Sequence, residues 1–86
     1  MKWQVEFTNQ SHKQVLGLPK KIQYIVSGVY KDLVREGPIP KYWDVKKTGD
    51  NEYRIRLTYR YRMRYLVYKE KILIKIFYVG HRKDAY

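Results

Sequence analysis

The run from Ile72 to Val79 constrains this chain most, because every side chain in it except Lys75 is apolar or aromatic. Such a run marks a strand covered on both faces, and therefore a strand in the middle of a sheet. Its neighbours must be strands as well. Tyr53 to Thr58 alternates cleanly, with Tyr53, Ile55 and Leu57 on one face and Arg54, Arg56 and Thr58 on the other. Tyr61 to Tyr68 alternates less cleanly. Residues 2 to 7 set Trp3, Val5 and Phe7 against Lys2, Gln4 and Glu6. The tripeptides Thr58-Tyr59-Arg60 and Lys69-Glu70-Lys71 have the length of hairpin loops.

Two helices are predicted between the first strand and the rest. Thr8 or Asn9 caps a short one that runs to about Leu16 and ends at Gly17. Leu18-Pro19-Lys20-Lys21 opens a longer one, with Pro19 in the first turn, where its missing N–H costs nothing. Ile22, Val26, Val29 and Leu33 recur at helical spacing, flanked by Ile25, Tyr30 and Val34, and Gly37-Pro38 stops the helix. Ile39 to Asn51 reads as irregular: Pro38 and Pro40 exclude helix, Thr48-Gly49-Asp50-Asn51 is a turn, and Trp43 and Val45 pin the segment to the core. The predicted order is β-α-α-β-β-β, an α+β fold with a helical hairpin packed on one face of a small antiparallel-rich sheet. Residues 1–86 make one domain, small enough that its stability is marginal without a partner.

Several classes of chemistry are set aside by what the chain lacks. With no cysteine it has no disulfide, no thiolate metal site and no thiol nucleophile. His12 and His81 are the only histidines, and neither their spacing nor an acidic cluster makes a metal site. Ser11 carries no sign of a triad, and there is no glycine-rich phosphate loop. No cofactor or small-molecule group is expected. No stretch is apolar enough to span a membrane, and the N-terminus lacks a signal-peptide core, so a cytoplasmic protein is expected.

Charge points to the partner. Nineteen Lys and Arg against eight Asp and Glu leave a net charge of +11, which implies a polyanion: nucleic acid, a ribosome or an acidic protein. The basic residues do not gather on one amphipathic helix, which argues against a membrane surface. Ten tyrosines accompany them, and tyrosine alternating with arginine suits a surface that stacks bases and grips phosphates. Arg54 and Arg56 lie two apart on one strand and Arg62 and Arg64 two apart on the next, so each pair shares a face. Arg82 follows the end of the central strand. Guanidinium groups offer planar forks of donors to phosphate oxygens. Such a set can stabilise the charge that builds on phosphorus when a ribose 2′-OH attacks its own phosphodiester, a cleavage that needs no metal.

Tyr53-Arg54-Ile55-Arg56-Leu57, Tyr61-Arg62-Met63-Arg64-Tyr65 and Val79-Gly80-His81-Arg82-Lys83-Asp84-Ala85-Tyr86 together resemble the C-terminal half of the RelE/ParE toxin superfamily. Leu18-Pro19-Lys20 and Asp44-Val45-Lys46-Lys47 are similar to its pattern as well, so the resemblance runs over essentially the whole chain. It implies the toxin of a type II toxin–antitoxin system, held silent by a cognate antitoxin and, in the RelE branch, cutting mRNA in the ribosomal A site. By that resemblance Arg54 and Arg56 contact RNA, with Arg64, Lys46, Lys47 and Lys83 as further RNA-binding residues. Arg62 and Arg82 stabilise the scissile phosphate, and Tyr86 stacks on or orients the cleaved nucleotide. Some relatives carry lysines where Arg54 and Arg56 stand. Arginine effectively cannot give up its proton, so acid–base duty is expected of His81, with Asp84 pairing with a nearby base. Tyr86 also lies closer to its arginine than in some relatives. Two alternatives stay open: a ParE-like inhibitor of DNA gyrase without nuclease activity, and a non-catalytic RNA- or ribosome-binding module.

Overall fold

In a computed structural model that describes residues 2–81, Thr8 starts the first helix as its N-cap, its hydroxyl accepting the Ser11 N–H. The elements are β1 (Gln4–Phe7), α1 (Asn9–Leu16), α2 (Lys20–Glu36), β2 (Asp44–Lys47), β3 (Glu52–Arg56), β4 (Tyr61–Tyr68) and β5 (Leu73–His81), with a short 3₁₀ turn at Lys69–Lys71. Pro19 stands one position before α2 as its N-cap rather than inside its first turn. Helix α2 ends at Gly37, whose φ of 91° favours glycine and whose missing Cβ leaves room for the Trp3 indole; a Cβ there would lie 2.8 Å from Trp3 Nε1.

The strands form one sheet in the order β1-β5-β4-β3-β2, with β1 parallel to β5 and every other pair antiparallel. The α+β architecture and the helical hairpin on one sheet face are as the sequence predicts. One element is added: Asp44–Lys47, read as irregular, is a fifth strand on the sheet edge, paired with β3. Four residues with one half-buried apolar side chain, Val45, carry too little alternation to announce a strand.

The core lies between the helices and one sheet face. Ile22, Val26, Val29 and Leu33 of α2 meet Val5, Tyr53, Ile55, Met63, Tyr65, Val67, Ile74, Ile76 and Val79. Tyr65 stacks on Tyr53 and donates its hydroxyl to the Pro38 carbonyl at 2.5 Å, which fixes the segment leaving α2. Burial pushes the Tyr65 phenol well above its ordinary pKa of 10.0, so it stays neutral. Strand β1 pairs only with Leu73–Ile76, and α1 takes over the edge of β5 beyond it. The Ser11 hydroxyl, fully buried, donates to the Ile76 carbonyl at 2.7 Å, and Gln14 Oε1 accepts the Val79 N–H at 2.9 Å. Ser11 is thus an anchor of the fold.

The central position predicted for the apolar run holds, since β5 lies between β1 and β4. Cover on both of its faces does not. Ile74, Ile76 and Val79 are buried under the helices, whereas Leu73, Lys75, Phe77 and Tyr78 are only half-buried among the described residues. A β-bulge explains why the run looks uniform: Arg64 pairs with Tyr78 and Tyr65 with Ile76, leaving Phe77 as the extra residue. Inward positions are even before the bulge and odd after it.

Candidate nucleic-acid interface

The sheet face opposite the helices carries the arginines. Register sets Arg54 directly across from Arg64 and Arg56 across from Arg62, a block of four guanidinium side chains on two neighbouring strands. Strand β2 extends the two rows outward, with Lys46 beside Arg54 and Asp44 beside Arg56. Strand β5 closes them on the other side, with Tyr78 beside Arg64 and Gly80 beside Arg62. Directly opposed side chains start about 5 Å apart at Cβ, and like charges in that relation destabilise a sheet. The fold therefore holds four cations together at a cost.

The four differ in how they are held. Arg62 is 3 % exposed, and its Nη1 donates to the carbonyls of Thr58 (2.9 Å), Tyr59 (3.1 Å) and Tyr61 (3.3 Å). It braces the loop between β3 and β4, and its buried Nε has no hydrogen-bond partner among the described residues. Arg64 pairs with Glu52 Oε2 through Nη2 and lies over the Phe77 ring, 5.3 Å from its centroid. That hydrogen bond, helped by the Thr48 hydroxyl, holds the Glu52 carboxyl below its ordinary pKa although burial opposes it. Arg56 is exposed and meets Asp44 at 3.4 Å in an exposed ion pair; Arg54 is half-buried between Lys46 and Arg64.

Of the residues predicted for the site, the structure gathers Arg54, Arg56, Arg62, Arg64 and Lys46 on one face. Lys47 pairs with Tyr53 and so belongs to the other face of the edge strand. His81 also departs from expectation. It pairs with Tyr61 and packs its ring edge-on against Tyr61, centroids 5.7 Å apart, on the helix side of the sheet. The bulge at Phe77 is the physical reason, since it reverses the alternation before His81 is reached. Arg82, Lys83, Asp84 and Tyr86 lie outside the described residues.

Three residues of this face were missed by the sequence reading. Asp44 and Glu52 sit in unremarkable turn-flanking positions, and only the register shows that they are the two carboxylates among the arginines. Tyr78 is hidden in the apolar run; without the bulge its even number would turn it inward with Ile74 and Ile76. Around the arginines the face presents guanidinium donors, Lys46, the Tyr78 phenol and the Phe77 ring, an arrangement suited to a phosphodiester with a base beside it. Among the described residues no helix is long and apolar enough to cross a membrane.

No family model and no curated protein matches the chain. Solved structures do. The fold is similar to a chain of the archaeal RelE–RelB complex from Pyrococcus horikoshii OT3, at 27% identity over 95% of this chain and 97% of that one, with a TM-score of 0.80. It is similar to a chain of the toxin–antitoxin complex RelBE2 from Mycobacterium tuberculosis, at 26% identity over 95% and 100% of the two chains, TM-score 0.77. The isolated RelE toxin of E. coli, at 19% identity over 92% and 83% and a TM-score of 0.75, shares the fold.

Proposed function

We propose, from the premise that this chain belongs to the RelE-like toxin superfamily, that it is the toxin of a type II toxin–antitoxin system and an endoribonuclease that cuts mRNA on the ribosome. The observation that carries the reading is the paired block Arg54/Arg64 and Arg56/Arg62 on an open sheet face, with the carboxylates of Asp44 and Glu52 beside it.

On this reading the ribose 2′-oxygen forms a bond to the adjacent phosphorus and the 5′-oxygen of the next nucleotide leaves. The products are a cyclic phosphate and a 5′-hydroxyl. One proton leaves the 2′-OH and one reaches the departing oxygen. Arg54, Arg56 and Arg64 bind the phosphodiester and oppose the charge that builds on its oxygens. Arg62 holds the loop that carries Tyr59 and keeps Nη1 directed at that loop. Arg82 and Tyr86 enter by the family resemblance: Arg82 as a second phosphate-stabilising cation, Tyr86 as the residue that orients the cleaved nucleotide. The partner is a cognate antitoxin that lays an acidic or amphipathic segment on the basic face, and the solved relatives from P. horikoshii and M. tuberculosis are toxin–antitoxin complexes.

One observation favours a second reading, binding without cleavage: His81, the proton carrier expected from sequence, faces away from the arginines. A single experiment separates the two. A defined mRNA is incubated with the protein, with and without translating ribosomes, alongside Arg82→Ala. Cuts at codon positions that need ribosomes and disappear in the variant support the nuclease. Intact RNA from folded wild-type protein refutes it, and a gyrase supercoiling assay then tests the ParE-like alternative.

A further inference from the structure

The phenol of Tyr78 lies where the side chain of Gly80 would be. A Cβ built on Gly80 would meet Tyr78 Oη at 2.6 Å and Cζ at 2.9 Å, so the ring occupies the space that the glycine leaves open. Its hydroxyl donates to the His81 carbonyl at 3.2 Å. Both residues belong to the arginine face: Tyr78 pairs with Arg64, and Gly80 pairs with Arg62. The ring therefore reaches from the row of Arg64 into the row of Arg62 and Arg56, half-buried and held at its far end by a hydrogen bond. A side chain held in this way has little conformational freedom left to lose when a flat ligand settles on it.

From this geometry we propose that Tyr78 is a nucleobase-stacking residue of the arginine face, receiving the base next to the phosphate that the arginines grip. The inference rests on the RNA-binding part of the function proposed above. Arg64 is one strand from Tyr78, and Arg54 and Arg56 are two strands from β5, separations of about 5 and 10 Å. A phosphate on those arginines leaves its neighbouring base over the β5 side of the face, where Tyr78 lies. Stacking on an aromatic side chain tolerates any base, since every base has a π-face. Gly80 is the partner of this device: any larger residue there takes the seat of the ring.

The test is direct binding, independent of cleavage, of a short oligoadenylate and of the matching abasic phosphoribose strand. Wild type, Tyr78→Phe, Tyr78→Leu and Gly80→Ala are compared at one salt concentration by fluorescence anisotropy, with thermal melts confirming that each is folded. Tyr78→Phe keeps the ring and loses the hydroxyl with its bond to His81, and is expected to bind oligoadenylate within about twofold of wild type. Tyr78→Leu is expected to bind about tenfold more weakly, in line with the usual loss of a base–aromatic stack. Gly80→Ala unseats the ring without removing it and is expected to weaken binding in the same direction, which keeps the proposal testable if Tyr78→Leu does not fold. On the abasic strand all four should bind alike. Equal binding of oligoadenylate by wild type and Tyr78→Leu overturns the proposal. So does an equal loss in Tyr78→Phe and Tyr78→Leu, which would make the residue a tether for His81, or a loss that persists on the abasic strand. Base-dependent binding without cleavage would sink the nuclease reading and leave this one standing; cleavage with Tyr78-independent binding would do the reverse.

Discussion

Replacing Arg56 by glutamine separates what this side chain does for the fold from what it does for a polyanion. Arg56 has two charged neighbours. Asp44 lies 3.4 Å away, with the two side chains 44 % and 57 % exposed, so solvent screens the pair and its contribution is at most a few tenths of a kcal/mol. Arg62 stands directly across the strand pair and repels it by a similar amount. The two nearly cancel. Glutamine keeps most of the stem and the strand geometry, so the net change in stability is expected within about 0.5 kcal/mol in either direction. For a chain of 86 residues that is a melting shift of no more than about 4 °C.

Binding of RNA should respond quite differently. If Arg56 contacts one phosphate, its loss lowers the slope of log affinity against log salt by about 0.7, the value per contact on a single strand. Between 50 and 200 mM salt, the ratio of wild-type to variant affinity then shrinks by a factor of about 2.6. The assay is anisotropy of a labelled single-stranded RNA over that salt range, paired with thermal melts. A slope unchanged by the substitution would remove Arg56 from the interface. A melting temperature lowered by more than about 8 °C would show that the argument from cancelling neighbours is wrong.

Arg62→Ala is expected to cost about 2 kcal/mol, because the buried guanidinium serves three loop carbonyls, and a denaturant titration checks this. Any activity it loses must be read against that destabilisation, unlike the loss in Arg56→Gln. Gly37→Ala forces a side chain into a backbone region kept for glycine and against Trp3; a loss of about 1–3 kcal/mol by the same titration is expected, and no loss would contradict the close approach. Glu52 has its pKa lowered in the folded chain, chiefly by the Arg64 hydrogen bond, so it contributes stability that is present above the ordinary value of 4.5 and lost as pH falls through the folded one. Melts of wild type and Glu52→Gln from pH 6 to pH 3 should therefore converge on the acid side; parallel curves would show that the pair contributes nothing to acid stability.

Local patterning made most of the fold legible. The alternation of Tyr53 to Thr58, the helical spacing of Ile22, Val26, Val29 and Leu33, and the punctuation at Gly17 and Gly37 each depend on a few neighbouring residues, and those signals are written in the chain. What was not legible depends on pairing. Strand β2 exists because β3 offers it an edge. Asp44 and Glu52 join the arginine face through register, and nothing in either tetrapeptide around them says so. The bulge at Phe77 is the sharpest case, since one extra residue between Ile76 and Tyr78 exchanges the faces of everything that follows. From the sequence the strand ends at Val79 and acid–base duty falls to His81 beyond it; in the structure β5 continues to His81, and the bulge sets His81 against Tyr61 and brings Tyr78 to Arg64 instead.

The same bulge explains how one small sheet keeps two incompatible tasks apart. Ile74, Ile76 and Val79 must all face the helices, or the core beneath α2 loses its centre. A regular strand would then carry the ring of Tyr78 inward with them and leave Val79 outside. Inserting Phe77 lets Val79 rejoin the core and puts two aromatic rings, Phe77 under Arg64 and Tyr78 over Gly80, on the face that holds the arginines. The helix side can therefore be packed for stability while the open side is free to accumulate like charge. The repulsion between Arg54 and Arg64 and between Arg56 and Arg62 is offset in part by Glu52 and Asp44, and an anion laid across the arginines offsets it further. A face arranged in this way is complementary to a partner the chain does not contain, and this links the net charge of +11 to the register of two neighbouring strands.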